Sequence, residues 1–443
     1  MGLRGRRLRG AESGTAGMLG AEPGKHGEAG RAVGLGTVAR EWLRIGCIGF
    51  GGPPAHIALL RKLCVQQRGW LSAEEFEDGV ATTNLLPGPA STQLAMFCAW
   101  RLAGPAGAVV GGACFILPGL GVILVLAALF LAAHPPAWIA GAAAGAGAAV
   151  PAVALAAAVS LMPASWRRAG AGRARWRWVT YLVAGGLAGV LAGAFIVLVL
   201  AACGLLELAA RWPRARHGPQ AGSGSEPAGG SPDRQGPVRS AVTMPLALAA
   251  PAARSSLLAA SALLASGGLL AVAWVAFKVG ALSYGGGFVI IPLMQHDAVH
   301  TYHWMTQPQF LSAVALGQVT PGPVVQTVAV VGYAAAGVGG GLLASLVAFA
   351  PSFAFVLGGG PHFAALRRNA RVQAFLTGAG PAAIGAIAGS TVPLGLGLTR
   401  LWQVAVLGLA AVWLLILRRN VVAAIVGAAA LGVIAVLAGA PLP

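Results

Sequence analysis

Charged residues are scarce in this sequence. Of its 443 residues, 12 are Asp or Glu and 30 are Lys or Arg, so 9% carry a charge, whereas about a quarter do in a soluble protein. Hydrophobic residues make up 57% of the chain. Because a soluble fold needs more charge than this to cover its surface, the composition excludes a water-soluble enzyme.

Cysteine is also rare, and the five residues stand singly, mostly in apolar stretches, at Cys47, Cys64, Cys98, Cys114 and Cys203. No two of them have the C-x-x-C spacing of a zinc site, and nothing indicates a disulfide framework. The histidines show no metal-ligand spacing either. We therefore expect neither a metal site nor a cofactor. The short alternating segments of a membrane β-barrel are missing as well.

Apolar runs longer than about 18 residues recur along the whole chain, which is typical of helices that cross a membrane. We predict an all-α, polytopic membrane protein with about ten to twelve membrane segments. Two polar stretches divide the chain: a tail at 1–31, predicted to be disordered, and a basic Gly/Ser/Pro-rich linker at 211–254. They leave two membrane domains, 32–210 and 255–443.

Basic residues outnumber acidic ones and give a net charge of +18. A basic excess often indicates nucleic-acid binding, but here the Arg residues cluster between apolar runs, where cytoplasmic loops of membrane proteins collect them. We therefore expect the lipid bilayer, and not nucleic acid, to be the partner of these charges. A homodimer is one option for the assembly.

The two membrane domains are internal repeats. A shift of 234 residues places 44–89 on 278–323 without a gap. The coinciding residues are those that constrain the backbone, since Gly51-Gly52 falls on Gly285-Gly286 and Pro87-Gly88-Pro89 falls on Pro321-Gly322-Pro323. Internal repeats of this kind are typical of secondary transporters.

Loop charges indicate that the two repeats have inverted topology. The loop after the first Gly-Gly carries Arg61, Lys62 and Arg68, whereas its counterpart at 295–303 has no Lys or Arg. Further along the bias reverses, because 134–138 lacks basic residues and its counterpart near 361–371 has them. By the positive-inside rule, equivalent loops then lie on opposite sides of the membrane.

Two cations occupy equivalent positions within apolar stretches. Arg44 and Lys278 each lie six residues before an aromatic residue followed by Gly-Gly. A cation inside a membrane segment costs about 2.5–3.5 kcal/mol on insertion scales, so two at matching positions suggest one anion site at the repeat interface. The alternative interpretation is that each side chain snorkels to the membrane surface.

Gly/Pro clusters interrupt the apolar runs at four symmetric places, 50–54, 87–89, 284–288 and 321–323. Broken backbone is tolerated in a membrane where it lines a cavity, and the N-termini of half-helices attract anions. The alternative is that these are kinks that only shape the packing. The predicted substrate-binding residues are Arg44, Gly51, Gly52, Asn84, Pro87, Gly88, Pro89, Gln93, Lys278, Gly285, Gly286, Gln318, Pro321, Gly322, Pro323 and Gln326.

Four of these residues are amides that flank the two Pro-Gly-Pro sequences. Asn84 and Gln318 precede them by three residues, and Gln93 and Gln326 follow them. An amide donates hydrogen bonds to an oxyanion, but it equally bridges two helices. Both interpretations stand on the sequence alone.

An acidic cluster offers a rival interpretation. Glu74, Glu75, Glu77 and Asp78 lie together, and with His56 they are the residues that a membrane enzyme would use. The equivalent stretch of the second repeat has no acid, which argues against a symmetric site there. We expect instead the start of a surface helix with an N-terminal capping box, in which Ser72 is the N-cap and Glu75 its partner.

Long motifs of the sequence are similar to those of a known family. FGGPPAHIALLRKLCVQQRGWLSAEEFEDGVATTNLLPGPASTQLAM resembles the amino-terminal signature of the chromate ion transporter family. KVGALSYGGGFVIIPLMQHDAV and LSAVALGQVTPGPVVQTVAVVGYAAAG resemble its carboxy-terminal signature. The resemblance covers roughly residues 35–440 outside the linker and is to the long, two-domain form.

The resemblance implies an inner-membrane protein that exports chromate and confers chromate resistance, with sulfate as a related substrate or competitor. Arg44 and Lys278 would then offset the two negative charges of the anion, and backbone N–H groups beside the glycines would bind its oxygens. A sulfate or other oxyanion transporter on the same fold is the alternative, and a membrane enzyme is the more distant one.

Overall fold

The structure, a computed structural model, describes residues 33–84, 86, 88–132, 134–191, 195–211, 268–283, 287–359 and 369–442. The first half contributes the helices α1 (Leu35–Ile48), α2 (Pro53–Arg61), α3 (Ala73–Thr83), α4 (Ala90–Phe130), α5 (Ala137–Ala169), α6 (Arg173–Leu191) and α7 (Ile196–Arg211). The second half contributes α8 (Leu269–Leu282), α9 (Ile290–Gln295), α10 (Gln307–Val319), α11 (Thr327–Gly359), α12 (Ala370–Leu396), α13 (Leu401–Ala411) and α14 (Val421–Leu437).

Regular structure within these residues is helical throughout, which confirms the all-α prediction. By length and composition, four helical stretches are long and apolar enough to cross a membrane: α4, α5, Val324–Gly359 and α12. Three shorter apolar helical stretches, α8, Leu401–Ile416 and α14, also occur among the described residues, and the ten to twelve membrane segments stay a prediction. The predicted tail lies outside the described residues, as does the predicted linker apart from Arg211.

Several equivalent helices of the two halves share a start or an end. The shift that aligns the sequences also aligns both ends of α1 with those of α8. Helices α2 and α9 each continue into a π-helical turn. Helix α3 begins with the predicted capping box of Ser72 and Glu75, and α10 begins with a capping box of Thr306 and Gln309. The repeat therefore extends from the sequence to the bounds and caps of the helices.

Helices α4 and α11 are hairpins. Each is broken by a glycine outside the helical region, Gly104 with φ 62° and ψ −157°, and Gly337 with φ 62° and ψ −153°. A Cβ added to Gly112 would lie 2.7 Å from Cγ of Met96, whereas a straight helix would separate these residues by about 24 Å. The chain thus folds back at Gly104, and it does the same in α11.

The first arm of each hairpin is short. In α4 it covers 90–102, and a helix of that length rises only about 20 Å, less than the roughly 30 Å of a membrane core. The arm starts directly after Pro89. It is therefore a half-helix, and its N-terminus lies inside the bundle with the buried residues Gly88 and Pro89 that precede it.

The two halves interleave through small residues. Helices α6 and α7 of the first half pack on α12 of the second, while α13 and α14 pack on α5. Gly185 and Gly189 of α6 lie against backbone carbonyls of α12, and Gly141 of α5 lies against the carbonyl of Gly432 in α14. Small residues let helices approach closely in a membrane. Each half therefore covers the central helix of the other.

Candidate functional site

The backbone breaks of the two halves meet in reciprocal pairs. The N–H of Gly88 donates to the carbonyl oxygen of Ser283 at 2.6 Å, and the N–H of Gly322 donates to that of Gly49 at 3.0 Å. Gly49 and Ser283 each follow the first helix of a repeat, at equivalent positions. Each Pro-Gly-Pro turn is therefore bonded to the end of the first helix of the opposite half. We call this pair of contacts the junction.

Positive φ angles explain why glycine occupies several positions at and near the junction. Gly88 has φ +120° and Gly322 φ +96°, while Gly51 and Gly52 have φ +98° and +74°. L-residues with a side chain rarely adopt this region, and glycine adopts it without steric cost. Gly287, in the second Gly-rich break, has φ +89°. The predicted site residues Pro87, Gly285 and Gly286 lie outside the described residues.

The prolines at the junction set the start of the half-helices. Pro89 and Pro323 are buried and extended, and each precedes the helical turn that opens an arm. Pro321 is buried too, and its carbonyl lies against Gly119 of α4. The first turn of a helix leaves N–H groups without intrahelical partners and carries the positive end of the helix dipole. Two such ends converge at the junction.

The predicted glutamines reach across to the opposite half. Nε2 of Gln93 donates to Oγ of Ser352 in α11 at 3.4 Å, and Nε2 of Gln326 donates to the carbonyl of Ile116 in α4 at 2.9 Å. Both side chains are almost fully buried. These contacts are helix bridges, one of the two roles that the sequence left open, and they bring the two glutamines to the junction.

Three hydrogen-bond donors are buried here without a partner in the described structure. They are the hydroxyls of Thr92 and Ser283 and Nε2 of Gln318. Thr92 and Ser283 are 0% exposed, and Gln318 is 6% exposed. A buried unpaired donor costs about 1–3 kcal/mol. Ser283 supplies the junction carbonyl and Thr92 lies in the first turn after Pro89, so two of these donors belong to the junction.

His56, which the sequence suggested only for a membrane enzyme, lies at the junction. Its Nε2 lies 2.9 Å from the carbonyl oxygen of Gly49, and its Nδ1 lies 3.2 Å from Oγ of Ser91. Because Nε2 faces a carbonyl, it carries the proton, and Nδ1 accepts from the Ser91 hydroxyl in the neutral ring. The signal in the sequence was its position four residues after Gly52.

The two predicted cations have different surroundings. Nζ of Lys278 lies 2.6 Å from Oδ2 of Asp297 and 5.8 Å from the centre of the Trp274 ring. Arg44 is exposed on α1 and forms none of the hydrogen bonds or ion pairs found among the described residues. No polar contact described here joins the two cations. Asp297, the partner of Lys278, was not among the predicted residues.

The flanking residues Asn84 and Gln318 also differ from each other. Asn84 ends α3 and is exposed, whereas Gln318 is buried in α10. The two halves therefore share the same backbone arrangement, but their equivalent side chains differ in burial.

The acidic cluster is used in structural contacts. The N–H of Ser72 donates to the carboxylate of Glu75 at 3.1 Å and lowers the pKa of that group, which also pairs with Arg101. Glu77 pairs with Arg61 at 3.1 Å. Within the described part of the chain, His, Cys, Asp and Glu form no group of three that would hold a metal ion.

Apolar helices, a doubled architecture and broken backbone at the centre define a polytopic α-helical membrane protein of the kind found among secondary transporters. The family model described as Chromate transporter matches residues 36–208 and 270–433. The chain belongs to the chromate transporter family.

Curated relatives match over most of their length. A protein of Synechococcus elongatus named as a probable chromate transport protein is 29% identical over 82% of this chain and 85% of its own. The chromate transport protein of Cupriavidus metallidurans is 30% identical over 80% of both chains. That of Pseudomonas aeruginosa is 28% identical over 80% of this chain and 79% of its own. No solved structure matches the chain significantly.

Proposed function

We propose that this protein transports chromate across the inner, or plasma, membrane, in the direction out of the cytoplasm, and so confers chromate resistance. Family membership and the names of the relatives support chromate as the substrate. The single observation that supports the site is the junction, where the two halves are bonded at their backbone breaks and the hydroxyls of Thr92 and Ser283 are buried without a partner.

The anion binds at the junction in this proposal. Its oxygens accept from the hydroxyls of Thr92 and Ser283, from Gln318 and from N–H groups at the starts of the two half-helices. Gly51 and Gly52 let the backbone approach the anion closely. A tetrahedral dianion has four oxygens to be satisfied, and preformed donors replace its water at little cost of reorganisation.

Lys278 supplies positive charge to the same site by exchanging Asp297 for the anion. A lysine held by one carboxylate is a ready partner for a competing dianion, and its side chain remains 19% exposed. The exposed position of Arg44 favours the snorkelling interpretation, so we assign Arg44 no contact with the bound anion.

Inverted topology of the halves completes the proposal. The reciprocal bonds of the junction and the reciprocal packing of α5 and α12 are what a two-fold relation between the halves would produce. In inverted-repeat transporters, one part rocks against the other around a central site. We expect the junction to be the point about which access alternates. A homodimer stays a proposal that rests on no contact described here.

The membrane potential favours export of a dianion. Moving one charge through 100 mV is worth about 2.3 kcal/mol, so a dianion leaving a negative interior gains roughly 4–5 kcal/mol. Outward flux therefore needs no coupled proton. A sulfate or other oxyanion importer on the same fold is the alternative, and it would need a co-ion.

Flux of labelled chromate in inside-out vesicles with an imposed potential tests this function. We expect uptake driven by an interior-positive potential, inhibited by sulfate and insensitive to a pH gradient at constant potential. Lys278→Gln should lose most of the flux, whereas Arg44→Gln should keep it. Absence of chromate uptake in the wild type would overturn the proposal, and uptake of sulfate alone would favour the alternative.

A further inference from the structure

A cavity of about 440 Å³ is lined by residues of both halves. Its wall includes Arg167 and Arg168 at the end of α5, Ser165 one turn earlier, Asn84 at the end of α3, and Val289 at the start of α9. One water takes up about 30 Å³ of liquid, so the cavity has room for a small anion with part of its hydration shell.

The two arginines of the wall lack a carboxylate partner among the described residues, as Arg44 does. Arg61, Arg68, Arg101, Arg177 and Arg211 all pair with carboxylates. Arg167 and Arg168 form no ion pair among the described residues, and no acidic residue lines the cavity. Arg167 and Arg168 are exposed residues of this wall, and their two positive charges match the charge of a dianion. Guanidinium binds tetrahedral oxyanions through paired N–H groups.

Two neutral donors complete the lining. The hydroxyl of Ser165 accepts from Nε1 of Trp178 at 2.9 Å, which leaves its own proton free to donate into the cavity. The side-chain amide of Asn84 forms none of the hydrogen bonds found among the described residues. The cavity thus offers both charge and directed hydrogen bonds.

The cavity is continuous in sequence with both partners of one junction contact. Asn84 lies four residues before Gly88, and Val289 lies six residues after Ser283. The chain therefore connects this wall to both Gly88 and Ser283 within six residues. The residues from Arg167 to Arg177 include five arginines, and the positive-inside rule places such a segment at the cytoplasmic face.

We propose that this cavity is a second oxyanion site, a cytoplasmic vestibule in which Arg167, Arg168, Ser165 and Asn84 hold the dianion before it enters the junction. The proposal rests on the proposed function, since it names the loading site of the same transporter. A phospholipid phosphate has the same ligand chemistry, so the experiment separates a free oxyanion from a headgroup.

Protection of arginine from phenylglyoxal, measured by mass spectrometry on the purified full-length protein in a maltoside detergent, tests binding without transport. Sulfate serves as a non-oxidising tetrahedral dianion. We expect millimolar sulfate to slow modification of Arg167 and Arg168 at least fivefold and to leave Arg173, exposed on the adjoining helix, unchanged. Equal rates with and without sulfate would overturn the proposal, as would protection by phosphatidylglycerol micelles and not by sulfate.

The chromate transport kinetics of variants provide a second test of the vestibule. The double variant Arg167→Gln/Arg168→Gln should raise the chromate KM about tenfold and leave kcat within twofold, while the matched control Arg173→Gln should change neither. If the wild type is active and the double variant has an unchanged KM, the proposal of a vestibule is overturned, while the proposed transport function stands. Sulfate protection in a wild type that moves no chromate would retain the anion site and reject the proposed substrate.

Discussion

At the residue scale, the two Pro-Gly-Pro glycines share a backbone conformation but not their surroundings. A Cβ on Gly88 would clash with the side-chain amide of Gln93 and lie 2.7 Å from Oγ of Ser352. A Cβ on Gly322 would meet nothing closer than 3.8 Å. The two residues occupy equivalent positions in the sequence repeat, but the packing around them differs.

This difference predicts unequal effects of the same substitution. Gly322→Ala should cost the strain of a positive φ alone, about 1–3 kcal/mol in unfolding free energy, with transport retained. Gly88→Ala adds a steric clash at the crossing of the two halves, so it should be clearly less stable and inactive. Thermal unfolding in detergent and chromate flux measure both. Equal loss in the two variants would contradict the described packing.

Lys278 and Asp297 allow structural and functional roles to be separated. Lys278→Gln leaves a buried carboxylate unpaired, which costs up to about 3–5 kcal/mol in a fully buried pair and less here, where the lysine is partly exposed. The double variant Lys278→Gln/Asp297→Asn should recover that stability but not chromate flux, because the cation for the anion is still missing. Recovery of both would reduce Lys278 to a structural role.

At the element scale, the structure breaks α4 at Gly104 and α11 at Gly337, where the sequence shows a glycine within an apolar run. The sequence did not predict that the chain folds back there. A single glycine in an apolar run is compatible with a kink or with a hairpin, and the choice depends on contacts sixteen residues apart, such as Met96 with Gly112. Hydropathy does not record such contacts.

The hairpin turns predict a contrast between two exposed positions. A Cβ added at Gly104 or at Gly339 would meet open space, but only Gly104 has a positive φ. Gly104→Ala should therefore lower the unfolding free energy by about 1–3 kcal/mol, and Gly339→Ala, in a helix, should be neutral or stabilising by about 0.5–1 kcal/mol. Thermal unfolding of the two variants checks this. A neutral Gly104→Ala would argue against the hairpin geometry.

At the scale of the whole molecule, the sequence predicted two repeats and a site between them, because matching glycines and prolines survive a 234-residue shift. It could not predict that His56, Ser91 and Ser283 join that site. Their roles depend on which carbonyls and hydroxyls face one another across the halves. The equivalent positions of the other half carry no matching side chains, so the repeat does not reveal them.

Interleaving predicts that neither half folds alone. The most apolar part of α5 is 72% buried and that of α12 is 61% buried, and much of the cover comes from the other half. Each half expressed separately should be degraded or aggregate, and co-expression of both should restore chromate flux. Two halves that are each stable and monodisperse in detergent would contradict the interleaved packing.

The central claim is that unpaired hydroxyls at the junction bind the transported oxyanion. The most direct measurement is the chromate KM of Thr92→Val and Ser283→Ala, with Thr391→Val as control because the Thr391 hydroxyl already donates to its own helix at 2.6 Å. Loss of a hydrogen bond to a charged group costs about 1.5–3 kcal/mol, so each junction variant should raise KM roughly 10- to 100-fold. Each should also unfold no more readily than wild type, because it removes a buried unpaired donor. An unchanged KM in both variants would contradict the account.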